Sequence, residues 1–264
     1  MTCIAAAGLA TVWLSACGGG RAAVDSGPEP RADAIVDTEC VAAGPQARTL
    51  TTEDGVELIA DLYTTGTVGD PGVILLHMIP PSNTKDNYPA TFIEPLVARG
   101  LQVINVNRRG APGSGGVASD AYLGDNGKYD ALAARDFLVG HPCAVPSDAI
   151  GVIGASNGTT TALDFAVYAA ERAEIDQPAA MVFLSGGSYT ENQHTVAESL
   201  AQLSAVPVHF AFPSAEAAWN RDIEALGVGA WSFVEYNPGD HGTRLLDAAP
   251  TSGPDAIDFL DGLL

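Results

Sequence analysis

A serine between two glycines is the first residue of this sequence that could carry out chemistry. Ser156 lies in the stretch GASNG, with Gly154 and Gly158 two residues to either side. An apolar run (149–155) precedes it and a stretch with helical spacing (158–173) follows. Glycines at these positions remove side chains that would block a tight strand-to-helix turn, which would present the serine near a helix N-terminus. We therefore predict Ser156 as a nucleophile; the alternative is a serine that only caps the helix.

A nucleophilic serine needs a general base, and His241 is the candidate. It lies in YNPGDHGTRLL, directly after a predicted strand at 231–237. A histidine in a glycine-rich loop has no packing reason to be there, which favours a role as a base. The other four histidines have other assignments. His141 is predicted in a surface loop and His194 in a polar stretch at a helix start. His209 is predicted inside a strand and His77 at the end of one.

The base in turn needs an acid to orient its ring, and Glu216 is the first carboxylate after the predicted strand PVHFAFP (207–213). A carboxylate there would hold the imidazole and stabilise its charged form. Asp222, six residues later within a predicted helix, is the second choice. Asp240 adjoins His241 in sequence, which is poor geometry for a shared hydrogen bond. The alternative for Glu216 is a helix N-terminal glutamate that the helix dipole favours.

The elements that must position these residues follow from the periodicity of the chain. The stretch 48–64 contains two β-type runs around Glu53-Asp54-Gly55, a hairpin signal. Strand and helix patterns then alternate to the C-terminus. The predicted strands are 72–78, 101–107, 149–155, 179–186, 207–213 and 231–237, and the predicted helices are 88–100, 129–140, 158–173, 195–204, 215–226 and 254–264. This order predicts an α/β fold with a mostly parallel, twisted sheet of about eight strands and helices on both faces.

Ligands of such sheets bind beyond the carboxyl ends of the strands, which is where the three candidates fall. The chain order Ser156, Glu216, His241 resembles that of the α/β-hydrolase family. A second matching stretch is LLHMIPPS (75–82), where the family carries a strand followed by His-Gly, and here Met78 replaces the glycine. The resemblance implies an oxyanion hole formed by the backbone N–H groups of Ile79 and Asn157, with Met78 as the less favoured donor.

A third stretch, NVNRRGAPGS (105–114), resembles the family's D-x-R-G-x-G-x-S turn, with Asn107 in place of the aspartate and one extra residue. The resemblance covers about residues 47–264. Within the family the chain is similar to dienelactone-hydrolase-like proteins and small serine esterases. Dienelactone hydrolases use a cysteine nucleophile, however, and this chain has a serine.

The resemblance implies a serine carboxylesterase that acts on small esters through an acyl-enzyme and needs no metal or organic cofactor. Only about 20 residues separate the strands that end near 186 and begin near 207, which predicts a minimal lid. Two alternatives remain open at this point. One is a serine peptidase or thioesterase on the same scaffold, and the other is a catalytically silent, hydrolase-fold lipoprotein that only binds a ligand.

The N-terminal sequence predicts export. Residues 3–16 are apolar, too short a run to span a bilayer and typical of a signal peptide. The run ends in LSAC, which resembles a bacterial lipoprotein signal with Cys17 as the lipidated residue; plain secretion and a cytosolic location are the alternatives. We predict a signal peptide at 1–16, a flexible tether rich in Gly, Pro, Asp and Ala at 17–45, and a hydrolase domain at 46–264. The protein would then be lipid-anchored to the bacterial cell envelope.

Two of the four cysteines, Cys40 and Cys143, fall within or next to the predicted domain. Exported proteins mature in an oxidising compartment, so a Cys40–Cys143 disulfide is expected; two buried free thiols are the alternative. The cysteine spacings match no zinc motif.

Charge and length limit the classes of function. The formal net charge is −20, with 12 basic and 32 acidic residues, and the sequence contains no basic run. Such a chain repels nucleic acids and anionic lipid headgroups. The 264 residues fit one α/β domain of the larger kind. We therefore expect a monomer that takes a small-molecule ester, binds no nucleic acid, and meets the membrane only through its N-terminal lipid.

Overall fold

One eight-stranded sheet organises residues 38–190 and 192–264, which are the residues that the computed structural model describes. The strands are β1 (Ala42–Thr51), β2 (Glu57–Thr65), β3 (Gly72–Leu76), β4 (Gln102–Val106), β5 (Ile150–Ala155), β6 (Ala180–Leu184), β7 (Val208–Pro213) and β8 (Trp231–Tyr236). Their order in the sheet is β1-β2-β4-β3-β5-β6-β7-β8. Strands β3 to β8 are parallel, and β2 is antiparallel to both β1 and β4. The predicted architecture is thus confirmed.

Helices cover both faces of the sheet. They are α1 (Ala90–Ala98), α2 (Lys128–Gly140), α3 (Asn157–Ala170), α4 (Leu200–Leu203), α5 (Ala217–Glu224), α6 (Leu245–Ala248) and α7 (Ser252–Asp261). Short 3₁₀ helices lie at Lys85–Asn87, Ala118–Ala121, Ser214–Glu216 and Gly242–Arg244. None of the helices in this described part of the chain has the length and apolar character that crossing a bilayer requires.

Each face of the sheet has its own apolar core because side chains alternate along a strand. On β3, Ile74 and Leu76 belong to the core that includes residues of α2 and α3. Val73 and Leu75 belong to the core that includes residues of α1 and α7. All four are fully buried, which explains why the strand is a continuous apolar run in the sequence.

The structure corrects the helix predicted at 195–204. Only α4, at Leu200–Leu203, is helical there. The Thr195 hydroxyl accepts a hydrogen bond from the Glu198 N–H at 3.3 Å and donates to the Glu198 carboxylate at 2.7 Å. A bond from the N–H three residues later is the usual N-cap bond, so Thr195 caps the turn at 196–199 that precedes α4.

The start of the domain is anchored by a disulfide between Cys40 and Cys143, as expected. The two Cα atoms are 4.7 Å apart, although 103 residues separate the cysteines in sequence. Strand β1 begins at Ala42, inside the stretch predicted as a tether, because these residues pair with β2. The predicted signal peptide and Cys17 lie outside the described residues.

Candidate active site

Ser156 occupies the sharp turn between β5 and α3. Its backbone has φ 50° and ψ −123°, a conformation that costs free energy for any residue other than glycine. The turn is held in place by the Ser156 N–H, which donates to the Leu184 carbonyl at 2.9 Å. This strained geometry places the hydroxyl at the carboxyl edge of the sheet, next to the N-terminus of α3.

The flanking glycines permit this turn for a steric reason. A Cβ atom on Gly154 would lie 2.4 Å from the Gly158 carbonyl oxygen, and one on Gly158 would lie 2.2 Å from the Leu76 carbonyl oxygen. Both distances are far inside van der Waals contact. The two glycines therefore let the start of α3 pack directly against the end of β3.

The structure brings the three predicted triad side chains into one hydrogen-bonded chain. The Ser156 Oγ lies 2.7 Å from His241 Nε2, and His241 Nδ1 lies 2.6 Å from Glu216 Oε1. An ionised carboxylate only accepts hydrogen bonds, so Nδ1 carries the proton and Nε2 is free to accept from the serine hydroxyl. Glu216 Oε2 is buried without a hydrogen-bond partner among the described residues, so the carboxylate engages the histidine through one oxygen.

Glu216, and neither Asp222 nor Asp240, is the carboxylate that contacts the His241 ring in this arrangement. It ends the 3₁₀ helix that follows β7, at the same edge of the sheet as Ser156. Asp222 is an exposed residue of α5. Asp240 accepts the backbone N–H of His241 at 2.6 Å and the Arg244 Nε–H at 3.1 Å, and the bond from Arg244 holds the pKa of Asp240 below its usual range.

The loop that carries His241 is also fixed from the other side. The Gly242 N–H donates to the Ser185 hydroxyl at 2.9 Å. Ser185 is fully buried directly after β6 and has a φ of 57°. Asp240 and Ser185 thus hold the backbone on either side of the imidazole, and the sequence analysis identified neither contact.

The turn after β3 carries the predicted oxyanion donor. The Met78 carbonyl accepts from His77 Nδ1 at 2.7 Å and from Arg108 Nη1 at 3.4 Å. Because a trans peptide is planar, the N–H of Ile79 points away from this carbonyl. Among the hydrogen bonds of residues 38–190 and 192–264, none uses the N–H of Ile79 or that of Asn157. Both donors are available in the described structure.

His77 anchors this turn as a neutral side chain. It is fully buried, and burial together with the neighbouring Arg108 lowers its pKa to about 3. Its Nδ1–H donates to Met78, and its Nε2 accepts the backbone N–H of Arg108 at 3.0 Å. The histidine is therefore satisfied at both ring nitrogens and does not act as a proton donor or acceptor at neutral pH.

A strap formed by residues 187–190 and 192–196 lies beside the nucleophile. The Gln193 side chain accepts from Asn157 Nδ2 at 2.9 Å and donates to Asp164 at 2.9 Å. Asp164, fully buried in α3, also accepts the His194 N–H and bonds its ring Nδ1, each at 2.9 Å. The bond to Asp164 raises the pKa of His194. The sequence signal for this anchor is a single carboxylate in the largely apolar stretch 162–170, and the sequence pattern alone did not predict the contact.

Tyr189, on the same strap, stands over the candidate base. Its ring centre lies 5.9 Å from that of His241, with the two planes nearly perpendicular, and its hydroxyl donates to the Ser185 carbonyl. Burial and the nearby Glu216 raise the pKa of the tyrosine, so it stays protonated. With Ser156 only 5% exposed, the tyrosine narrows access to the nucleophile.

The remaining histidines, His141 and His209, are buried and hydrogen-bonded outside the candidate site. His141 is buried, contrary to its prediction as a surface residue, because its Nδ1 accepts the Cys143 N–H at 3.1 Å beside the disulfide. His209 is buried in β7 as predicted, with Nδ1 2.9 Å from the Ser232 hydroxyl. Within the described ranges, no three His, Cys, Asp or Glu side chains are grouped so as to hold a metal ion.

Comparison with known proteins identifies the fold. No family model and no curated protein matches the sequence. The solved esterase Pf2001 of Pyrococcus furiosus is similar with a TM-score of 0.61 and 18% identity, over 83% of this chain and 91% of that chain. The esterase RhEst1 of Rhodococcus sp. gives 0.62 and 12%, over 83% and 99%. A dienelactone hydrolase of Anabaena variabilis gives 0.60 and 17%, over 83% and 97%. The chain therefore has the α/β-hydrolase fold.

Proposed function

We propose that this chain is a serine hydrolase, a carboxylesterase that cleaves small esters through an acyl-enzyme. The observation that carries the proposal is the unbroken series of hydrogen bonds from the Ser156 hydroxyl through His241 to Glu216, at 2.7 Å and 2.6 Å. This arrangement lets a hydroxyl lose its proton as it attacks. The esterases and the dienelactone hydrolase of the same fold support it.

The chemistry proceeds in two halves. In the first, His241 Nε2 takes the Ser156 proton while Oγ attacks the ester carbonyl carbon, and the carbonyl electrons move onto the oxygen. The N–H groups of Ile79 and Asn157 stabilise this oxyanion. When the intermediate collapses, the C–O bond to the alcohol breaks and the imidazolium gives its proton to the departing alkoxide.

In the second half, water replaces the alcohol. His241 takes a proton from the water, whose oxygen attacks the acyl carbon, and Ser156 leaves with the proton returned by the histidine. Glu216 retains its negative charge throughout and stabilises the imidazolium that forms in each half. No step requires a group from outside the chain except water and the ester.

The proposed preference for small esters rests on what lies above the site. Within the described residues 185–190 and 192–207, the position of a lid in this architecture, one helix of four residues is present. The Tyr189 ring lies 5.9 Å from that of His241, and we infer that it limits the room for a bulky acyl group. We expect acetyl and butyryl esters to be cleaved faster than long-chain esters.

The test is hydrolysis of p-nitrophenyl acetate, butyrate and palmitate by the purified protein, together with labelling by a fluorophosphonate. Ser156→Ala should abolish both hydrolysis and labelling. Ser147→Ala is the matched control, since Ser147 precedes β5 at the opposite end of that strand and its hydroxyl donates to Asp176 at 2.6 Å. If the protein is labelled and cleaves a thioester or a peptide but no ester, it is a thioesterase or a serine peptidase instead of a carboxylesterase. A folded protein that neither labels nor cleaves would overturn the proposal and leave a binding protein.

We also propose that the protein is exported and lipid-anchored through Cys17. Support comes from the LSAC stretch after an apolar run and from the Cys40–Cys143 disulfide, a bond rare in cytosolic proteins. In a bacterial host, the Cys17→Ala variant should no longer incorporate a labelled fatty acid. In detergent phase partitioning it should move from the detergent phase to the aqueous phase. Equal labelling of both forms would refute the anchor.

A further inference from the structure

Arg108 joins the two backbone segments that carry the proposed oxyanion donors. It lies two residues after the end of β4, and its side chain is fully buried. On one side, Nη1 donates to the His77 carbonyl at 2.9 Å and to the Met78 carbonyl at 3.4 Å. These two carbonyls belong to the turn that presents the Ile79 N–H.

On the other side, the same guanidinium reaches the start of α3. Its Nη2 donates to Asn157 Oδ1 at 3.0 Å and to the Thr161 hydroxyl at 2.5 Å, and also to the Ala121 carbonyl at 3.1 Å. Asn157 is the residue whose backbone N–H is the second proposed donor. The planar, rigid fork of a guanidinium fixes the relative position of the groups it bonds.

The charge of Arg108 is not neutralised by a direct ion pair. In residues 38–190 and 192–264, no carboxylate oxygen is in hydrogen-bond contact with its guanidinium. The nearest candidates are otherwise engaged: Asp130 accepts the Nε–H and the backbone N–H of Arg109 at 2.7 Å and 2.9 Å, and Asp164 accepts from Gln193 and His194. Burial lowers the pKa of Arg108 to about 10, so the side chain remains charged at neutral pH.

A buried cation without a contacting anion is costly, because no ion pair offsets the desolvation of its charge. Neutral acceptors hold it instead, and Nε has no partner among the described groups. Hydrophobic residues of similar volume would fill the space at lower cost. A positive charge behind the oxyanion hole becomes favourable when negative charge forms on the substrate oxygen in a site of low dielectric.

We propose that Arg108 is a positioning residue for the oxyanion hole: its fork sets the distance between the Ile79 and Asn157 donors, and its positive charge, on which Asp130 and Asp164 act only from a distance, stabilises the oxyanion through them. This inference rests on the proposed hydrolase function. It predicts that replacing Arg108 lowers kcat, through the transition state, by a larger factor than it changes KM. It also predicts that the neighbouring Arg109, equally buried, lacks this effect because Asp54 and Asp130 neutralise it.

The experiment compares Arg108→Gln, Arg108→Lys and Arg109→Gln in the full chain, each checked by circular dichroism and thermal unfolding. Kinetics use p-nitrophenyl butyrate. A trifluoromethyl ketone with the same acyl chain forms a tetrahedral hemiketal with the serine, and ¹⁹F NMR reports the pH at which the bound hemiketal ionises. For Arg108→Gln we expect kcat to fall about 100-fold, as for loss of an oxyanion donor. KM should change less than threefold, and hemiketal ionisation should move to higher pH.

Arg108→Lys should give a kcat between those of the wild type and Arg108→Gln, because lysine keeps the positive charge but lacks the planar guanidinium. Arg109→Gln should lower the melting temperature and leave the hemiketal titration unchanged. An unchanged kcat and titration in folded Arg108→Gln would overturn the inference, as would equal shifts in Arg109→Gln.

A second variant covers the case in which Arg108→Gln does not fold. Thr161→Val removes one acceptor of the fork and leaves the charge in place. It should lower kcat several-fold without moving the hemiketal titration, and an unchanged kcat would count against the positioning role. If the wild type forms no hemiketal, the hydrolase proposal itself fails; if it forms one that Arg108→Gln leaves unaltered, only the role of Arg108 fails.

Discussion

The Met78 side chain occupies the space that any side chain on Gly242 would need. A Cβ atom on Gly242 would lie 2.3 Å from Met78 Sδ, and the residue has a φ of +62°. The contact joins the turn of the proposed oxyanion hole to the loop of the proposed base. The position of Met78 therefore requires a glycine directly after His241.

This contact predicts a rescue. Gly242→Ala should reduce ester hydrolysis strongly, because the new methyl group displaces Met78 and the left-handed backbone costs ~1–2 kcal/mol. Met78→Ala combined with Gly242→Ala removes the clash but keeps the backbone cost, so activity should recover in part. A double variant no more active than Gly242→Ala would contradict this explanation. The measurement is kcat/KM with p-nitrophenyl butyrate.

Replacing the acid of the proposed triad should separate geometry from charge. Glu216→Gln keeps the shape of the side chain but has no negative charge to stabilise the imidazolium of His241, so kcat should fall about 10³- to 10⁴-fold. Asp222→Asn is the control, since Asp222 is an exposed residue of the next helix. Equal losses from both substitutions would show that Glu216 does not orient the histidine.

Removing the disulfide should destabilise the domain without changing the site. Cys40 and Cys143 close a loop across 103 residues, and loss of such a bond costs ~2–5 kcal/mol in the free energy of unfolding. We expect Cys40→Ser with Cys143→Ser to shift the urea midpoint downward while kcat stays within twofold of the wild type. A reductant should reproduce the shift in the wild type and leave the double variant unaffected. Matching urea midpoints for the wild type and the double variant would refute the stabilising role.

Buried His209 should weaken the fold in acid. Burial lowers its pKa to about 4, whereas the unfolded chain titrates near ~6.5. Between these values the unfolded state binds more protons, so the free energy of unfolding falls with decreasing pH, by at most ~1.4 kcal/mol per pH unit for this group. His209→Gln should show a shallower loss between pH ~6.5 and ~4 than the wild type in urea titrations. An unaltered pH slope would argue against a neutral buried imidazole.

For His194 we expect the opposite pH dependence of the free energy of unfolding. Its hydrogen bond to Asp164 raises its folded pKa, so the stabilisation is fully present below the unfolded value and is lost as pH rises through the folded one. His194→Gln should therefore cost more stability at pH ~6 than at pH ~9. A cost that is independent of pH would indicate that protonation of His194 plays no part.

The sequence by itself determined the order of the elements and the neighbourhood of the site. Strands buried on both faces must be apolar throughout, so runs such as residues 72–76 and 208–213 identify them without any knowledge of their partners. Since the carboxyl ends of parallel strands meet at one edge, residues that directly follow strands, namely Ser156, Glu216 and His241, were expected to lie together. Close glycine spacing around Ser156 predicted the sharp turn.

Contacts between distant parts of the chain were decided by the tertiary structure alone. The Arg108 fork spans the turn after β3 and the start of α3, Asp164 holds a strap about 30 residues further along, and Ser185 fixes the loop at Gly242. Each depends on which buried polar group finds a partner once the core has formed, and sequence spacing carries no such information. Local pattern also failed at 195–204, where a turn precedes the short helix α4, and at His141, which is buried beside the disulfide. Periodicity encodes burial, which is local, whereas the satisfaction of buried polar groups is a property of the packed whole.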